Sequence, residues 1–338
     1  MTRFHRGAAF AVVAFLGLLS PSIAARLDNV ADVARAAHRR SLIEHMRIAA
    51  ADRLIEQQDE IAAYVAAGFN TVVLYDTEEW GALKSDERIA FETSFAHAHH
   101  LHIVVGKATE TSDVSDDEIR DRLQLWDRYG HDDIIAVFFL HDDAFLIHAT
   151  VERQRHLYSL AHEAVPDCYV LGMIGEFGFD ASPEEVAQYF DPNAFDHVII
   201  LMFPLNIGHV TGVRLDSATA ADPDADMREY VQRYMARMTE KFISHLNQDQ
   251  LVILLIQAFA YTVEPAGRVP RPADVMIQAN LGSQLVRKTA GQERNRALAY
   301  FLWDGSRSGM FGLWQRPDWR DAAVDANRAG EQRMAINP

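Results

Sequence analysis

The residues of this chain best suited to chemistry sit where runs of apolar residues end. Ile134 to Leu140 is seven consecutive apolar residues, followed at once by His141, Asp142 and Asp143. A run without alternation reads as a strand buried on both faces, as a parallel sheet covered by helices requires. Two adjacent carboxylates at its C-terminal end can donate or accept protons. The pattern recurs. Asp76 follows the stretch Phe69 to Tyr75, Glu176 follows Cys168 to Ile174, and Trp303 and Asp304 follow Ala297 to Leu302. Trp80, Asn206, Gln257 and Tyr261 lie just beyond other such ends.

These side chains share a site only if the elements bearing them share an edge. Strands are expected at Phe69–Tyr75, Leu101–Val105, Ile134–Leu140, Cys168–Ile174, Asp196–Met202, Leu251–Ile256 and Ala297–Leu302. Helices are expected over Ala50–Ala67, Asp86–His99, Asp116–Tyr129, His148–Glu163, Met227–Leu246 and Ala273–Arg287. Ser182-Pro183-Glu184-Glu185 supplies an N-cap, a proline at the first helical position and acids in the first turn. The loop Ile207–Asp226 is expected to lie over the site as an active-site loop or lid. An eighth strand is sought upstream, at Ser41–Ile48. Eight βα units predict a closed (β/α)8 TIM barrel with its chemistry at the C-terminal strand ends. An open doubly wound sheet is the alternative, but no glycine-rich phosphate fingerprint follows any strand.

The chain has 338 residues, 49% hydrophobic and 24% charged, enough for one large core. Residues 1–24 read as a signal peptide: Arg3 and Arg6 form a basic start, Gly7 to Leu19 an apolar centre, and Ser20 to Ala24 a small-residue cleavage site. Residues 25–338 then form the barrel domain, secreted or periplasmic, with no membrane span once the leader is removed. The formal charge is −16, and −18 without Arg3 and Arg6. That balance argues against nucleic acid as a partner. Cys168 is the single cysteine, so no intrachain disulfide forms, and it is expected to be a small buried hydrophobe. His97, His99, His100 and His102 fall at the barrel's far end, and Asp222, Asp224 and Asp226 in a solvated loop. Neither group predicts a metal, and no cofactor is expected. Oligomeric state is not legible here.

Carboxylates, aromatic faces and amides at one rim suit a carbohydrate, and glycosidic cleavage needs two carboxyls flanking the bond. The segment Phe138-Phe139-Leu140-His141-Asp142-Asp143-Ala144 resembles the fourth-strand signature of secreted glycoside-hydrolase-type barrels, two aromatics then Asp-Glu-Pro. Tyr300-Phe301-Leu302-Trp303-Asp304-Gly305 is similar to their aromatic last strand, where a Trp floors the sugar site. The resemblance implies a glycoside hydrolase acting on a polysaccharide or glycoconjugate. Asp143 would be the general acid and Glu176 the base or nucleophile. Alternatively, Asp142 and Asp143 act together on a 2-acetamido sugar in a substrate-assisted scheme, or Asp76 or Asp304 supplies the partner. Asp76, Trp80, His141, Asn206, Gln257, Tyr261, Trp303 and Asp304 would contact substrate. One departure is clear. Families with a nucleophile on strand seven carry Glu where this chain has Gln257. That keeps open a non-catalytic carbohydrate-binding barrel, accessory to envelope or exopolysaccharide assembly. A metal-dependent hydrolase ranks third. The plain structural alternative is that Asp142 and Asp143 cap the next helix and that Trp303 is core.

Overall fold

The structure, a computed structural model, describes residues 21–51, 58–77, 82–106, 114–130, 133–138, 145, 148–205, 211–213, 215, 221–261, 269–304 and 310–336. Side chains of residues 21–32, 51, 58, 176 and 330–336 fall outside that description. The chain divides into two compact units, Met1–Ile43 and Glu44–Pro338. In the first, helix α1 covers Pro21–Glu44, reaching one residue into the second.

The second unit is the barrel. Its strands are β1 (Arg47–Ala51), β2 (Thr71–Tyr75), β3 (His102–Gly106), β4 (Ile134–Phe138), β5 (Tyr169–Ile174), β6 (His197–Met202), β7 (Val252–Gln257) and β9 (Leu298–Asp304). Each is parallel to the next, and β9 closes on β1 through Arg47↔Leu298 and Ala49↔Tyr300. Closure rules out the open doubly wound sheet. Two short strands, β8 (Ala260–Tyr261) and β10 (Met310–Phe311), form an antiparallel pair beyond the ends of β7 and β9. Every residue of β4 and β6 is buried, which is why unbroken apolar runs mark them in the sequence.

The outer layer comprises α2 (Gln58–Ala66), α3 (Asp86–Ala98), α4 (Asp116–Gly130), α5 (Val151–Ala164), α6 (Glu176–Asp180), α7 (Pro183–Tyr189), α8 (Pro223–Lys241), α9 (Pro272–Ile277), α10 (Ser283–Ala290) and α11 (Pro317–Ile336). Their starts follow capping chemistry. Ser85, Thr150 and Asp222 each accept a backbone N–H from the first turn. Ser182 and Glu185 form a complete capping box.

Several expectations need correction. Ser41–Glu44 ends a helix rather than opening a strand, and the first strand is Arg47–Ala51. Its run of alanines lacks the β-branched signal that marks the other strands. Ala50 and Ala51 are therefore strand, and the following helix is described from Gln58. Helix α5 starts at Val151, because Thr150 caps it and His148 has a positive φ of 54°. The expected helix Ala273–Arg287 is broken by a π turn, Gln278–Gly282. Asp222 and Asp224 are engaged rather than merely solvated: Asp222 caps α8, and Asp224 accepts a hydrogen bond from Arg271 at 2.6 Å. The last helix, Pro317–Ile336, was not anticipated.

The β1–β2 seam shows how side chains complete the barrel. Only Ile48↔Thr71 is in register there. The Tyr64 hydroxyl fills the gap, accepting from Ala49 N–H at 2.9 Å and donating to the Thr71 carbonyl at 2.5 Å. Complete burial pushes the Tyr64 phenol well above its ordinary pKa, so it stays neutral and able to donate.

At the opposite end from the strand tips, Asp196 precedes β6 and accepts from Val170 N–H at 2.7 Å. It also bonds His162 Nε2 at 3.1 Å and the Tyr158 hydroxyl at 3.1 Å. Burial opposes the Asp196 charge, yet His162 and the Val170 N–H hold its carboxyl below the usual range. The same hydrogen bond raises His162.

Two outcomes are expected. Tyr64→Phe strands a buried N–H and a buried carbonyl, and should lower stability by about 1–3 kcal/mol in denaturant titrations without changing the far-UV spectrum. The His162 contribution is present below its unfolded value near ~6.5 and fades as pH rises through its raised value. The Asp196 contribution is present above about 3.9 and fades as pH falls through its lowered value. The melting temperature should therefore decline on raising the pH from 6 to 8, with the decline flattened in His162→Gln. An unchanged slope in that variant would show that other groups set it.

Candidate functional site at the barrel mouth

The C-terminal ends of β1–β7 and β9 form one rim, and Asp76, Gln257, Trp303 and Asp304 stand at or directly after those strand ends. Asp142, Asp143, His141, Trp80 and Asn206 lie outside the described residues. Glu176 is placed through its backbone: it is the first residue of α6, directly after Gly175 at the end of β5. Strands β4 and β5 are parallel neighbours, paired through Ala136↔Tyr169 and Val137↔Val170. The described end of β4, Phe138, thus belongs to the strand next to the one that leads into Glu176.

A cation not singled out in the sequence braces the segment that begins at Glu176. Lys241, the last residue of α8, donates through Nζ to the carbonyls of Phe179 and Ala181, which end the short Glu176 helix. A cation at helical carbonyls satisfies groups that the helix leaves unbonded. Burial pulls the Lys241 ammonium below its ordinary pKa. Its position at the end of a long amphipathic helix was the only sequence signal.

Three strand-end polar residues turn toward the protein's own chain. Asp76 is fully buried, and its Oδ1 accepts from Arg122 Nη2 at 2.6 Å and Trp126 Nε1 at 2.7 Å. Arg122 also donates to the Lys84 carbonyl at 2.9 Å. Lys84 in turn pairs with buried Glu92 at 2.6 Å, and Arg88 with the same carboxylate at 2.6 Å. Asp76 therefore fastens the end of β2 to α4, so its expected contact with substrate gives way to a structural one. Asp304 is 2% exposed and accepts a hydrogen bond from Gln315 Nε2. Gln315 Oε1 accepts from Gly312 N–H at 2.9 Å. A Cβ on Gly312 would lie 2.5 Å from the Trp303 carbonyl oxygen, so only glycine lets this turn approach β9.

Gln257 is 1% exposed and acts as a clamp between loops. Its Oε1 accepts from Leu205 N–H at 2.8 Å, after β6, and its own N–H donates to Gln278 Oε1 at 3.1 Å. The π turn that interrupts the expected helix begins at this Gln278. Trp303, expected as the floor of a sugar site, is fully buried between β9 and the outer layer. It packs edge-on to Tyr64 and Phe69 at centroid distances of 5.0 and 5.7 Å. Tyr261, on β8, is 40% exposed. Phe311 on the paired strand and Phe177 on α6 are exposed as well. Among the described residues no cluster of His, Cys, Asp and Glu could hold a metal ion, and no helix is long and apolar enough to cross a membrane.

Neither a family model nor a curated protein matches the sequence. Solved structures do match the backbone. GH5_18 from Streptomyces cattleya, solved with GlcNAc, aligns with a TM-score of 0.54 at 10% identity, over 85% of this chain and 80% of that one. An endoglucanase aligns with a TM-score of 0.52 at 13% identity, over 86% of this chain and 99% of its own. A glycoside hydrolase family 17 β-1,3-glucanosyltransferase from Rhizomucor miehei gives 0.50 at 12% identity, over 80% and 93%. At such identities the likeness is one of fold: the chain is a closed (β/α)8 barrel.

Proposed function

We propose that the protein is an exported glycoside hydrolase that cleaves a polysaccharide or glycoconjugate by carboxylate acid–base catalysis. The observation supporting this reading is the parallel pairing of β4 with β5: Glu176 opens the helix after β5, and in the sequence Asp142 and Asp143 come shortly after β4. In this scheme Asp143 gives its proton to the leaving glycosidic oxygen as the bond to the anomeric carbon breaks. Glu176 either takes a proton from the attacking water, and this proton passes through solvent to restore Asp143, or it attacks the anomeric carbon itself. In the second case water, giving its proton to Asp143, displaces Glu176 and releases the sugar. With a 2-acetamido sugar, Asp142 would instead orient the substrate's own acetamido oxygen as the nucleophile.

Gln257 fits a strand seven that contributes no nucleophile, since its amide is committed to Leu205 and to Phe259. Tyr261 offers an exposed ring for stacking on a sugar face, with Trp80, His141 and Asn206 as further contacts. The shared fold with glycoside hydrolases supports the same class.

The test is turnover of a panel of aryl glycosides and polysaccharides by the parent, Asp143→Asn and Glu176→Gln. The parent should turn over at least one substrate. Each variant should lose about 10²- to 10⁴-fold. Asp143→Asn should be hurt least on substrates with the most acidic leaving group. Full activity in Asp143→Asn would remove it as the acid. Carbohydrate binding without turnover in the parent would establish the non-catalytic barrel instead. For export, the full chain expressed in a bacterial host should appear outside the cytoplasm, shortened by its first 24 residues on mass analysis.

A further inference from the structure

Inside the barrel, below the rim, lies a cavity of about 260 Å³. An apolar cavity of ~150 Å³ stays dry and takes up benzene, so this one has room for a larger apolar group. Two alanines make the space. Ala50 on β1 and Ala299 on β9 lie on adjacent strands and line one side. Tyr75, Phe138, Phe203 and Phe301 line the rest of its upper part. Gly106 contributes as well: a Cβ there would meet the Tyr75 ring at 2.6 Å and Phe138 at 3.0 Å, so glycine lets those rings meet edge to face.

The cavity has a direction. Its deep residues Met46, Ile48, Val104 and Leu171 are all 5% exposed or less, whereas Ala50, Tyr75, Phe203 and Phe301, nearer the strand tips, are partly exposed. It therefore opens toward the rim. An aromatic path leads in from the surface: Tyr261 meets Phe259 at 5.8 Å, and Phe259 meets Phe301 at 5.2 Å and Phe203 at 5.3 Å.

The wall suits hydrocarbon and not sugar. Among its described residues only two tyrosines carry a polar side-chain atom, and Tyr300 directs its hydroxyl away, to Asn327 at 3.1 Å. A pyranose placed there would lose hydrogen bonds to water that the wall does not replace. We propose that this lumen binds an alkyl or aryl group, and that the substrate is a glycoconjugate whose apolar part enters the barrel while its sugar stays at the rim. The sugar half rests on the glycosidase reading; the apolar half does not.

The experiment separates them. Calorimetric titration of the full chain with n-alkanols, butanol to decanol, tests the lumen alone. A matching series of n-alkyl glucosides, below their micelle concentrations, tests the sugar half. Alkanol affinity should rise about three- to fourfold per methylene, the ratio corresponding to ~0.8 kcal/mol per buried CH₂, and level off when the cavity is full. Ala299→Leu and, independently, Ala50→Leu should abolish the dependence on chain length while melting cooperatively. No alkanol binding by the parent, or an unchanged series in a folded filled variant, overturns the proposal. Alkanol binding with no gain from the glucosyl group keeps the lumen site and rejects its link to the glycosidase reading.

Discussion

Closing eight parallel strands on themselves is the constraint from which the rest of this structure follows. Closure sends alternate side chains into a lumen that water enters only from the ends, so the interior must be apolar or fully bonded. The strand interiors obey this with Ile, Val, Leu, Met and aromatic side chains. Polar residues are pushed to the tips, where they either face the rim or find partners within the chain. Asp76, Gln257 and Asp304 take partners, and each ties one strand end to an element beyond it. The rim is thereby held in part by two carboxylates and an amide that are committed within the chain.

What the sequence made legible follows from the same constraint. Strands buried on both faces leave unbroken apolar runs, so seven of the eight were visible, as was their closure into a barrel. The first strand was not, because Arg47–Ala51 is mostly alanine and follows directly on a helix. At the described strand ends, the place of a polar residue along the chain was legible and the direction of its side chain was not. Which way Asp76 points depends on Arg122, 46 residues away, and the role of Gln257 depends on Leu205, 52 residues away. Trp303 reads as a rim aromatic from its neighbours in sequence, yet its ring is claimed by Tyr64 and Phe69 on the far side of the strand. Long-range partners of this kind leave no local pattern.

The division between lumen and rim gives the molecule its functional logic. Barrels of this kind are ordinarily filled by their own side chains. Here two alanines and four aromatic rings line a cavity, and the rings continue to the surface at Tyr261. On the proposed reading, an amphiphile would place its apolar half in this cavity and its sugar at the rim. Gln257 ties β7 to Leu205 after β6, and Lys241 ties α8 to the end of α6.

The most direct measurement is a crystal structure of the protein with octyl β-glucoside bound. The account predicts the octyl chain between Phe203 and Phe301 and the glucose ring at the rim, within reach of Asp143 and Glu176. A glucose ring inside the lumen, or the ligand at the opposite face of the barrel, would contradict it.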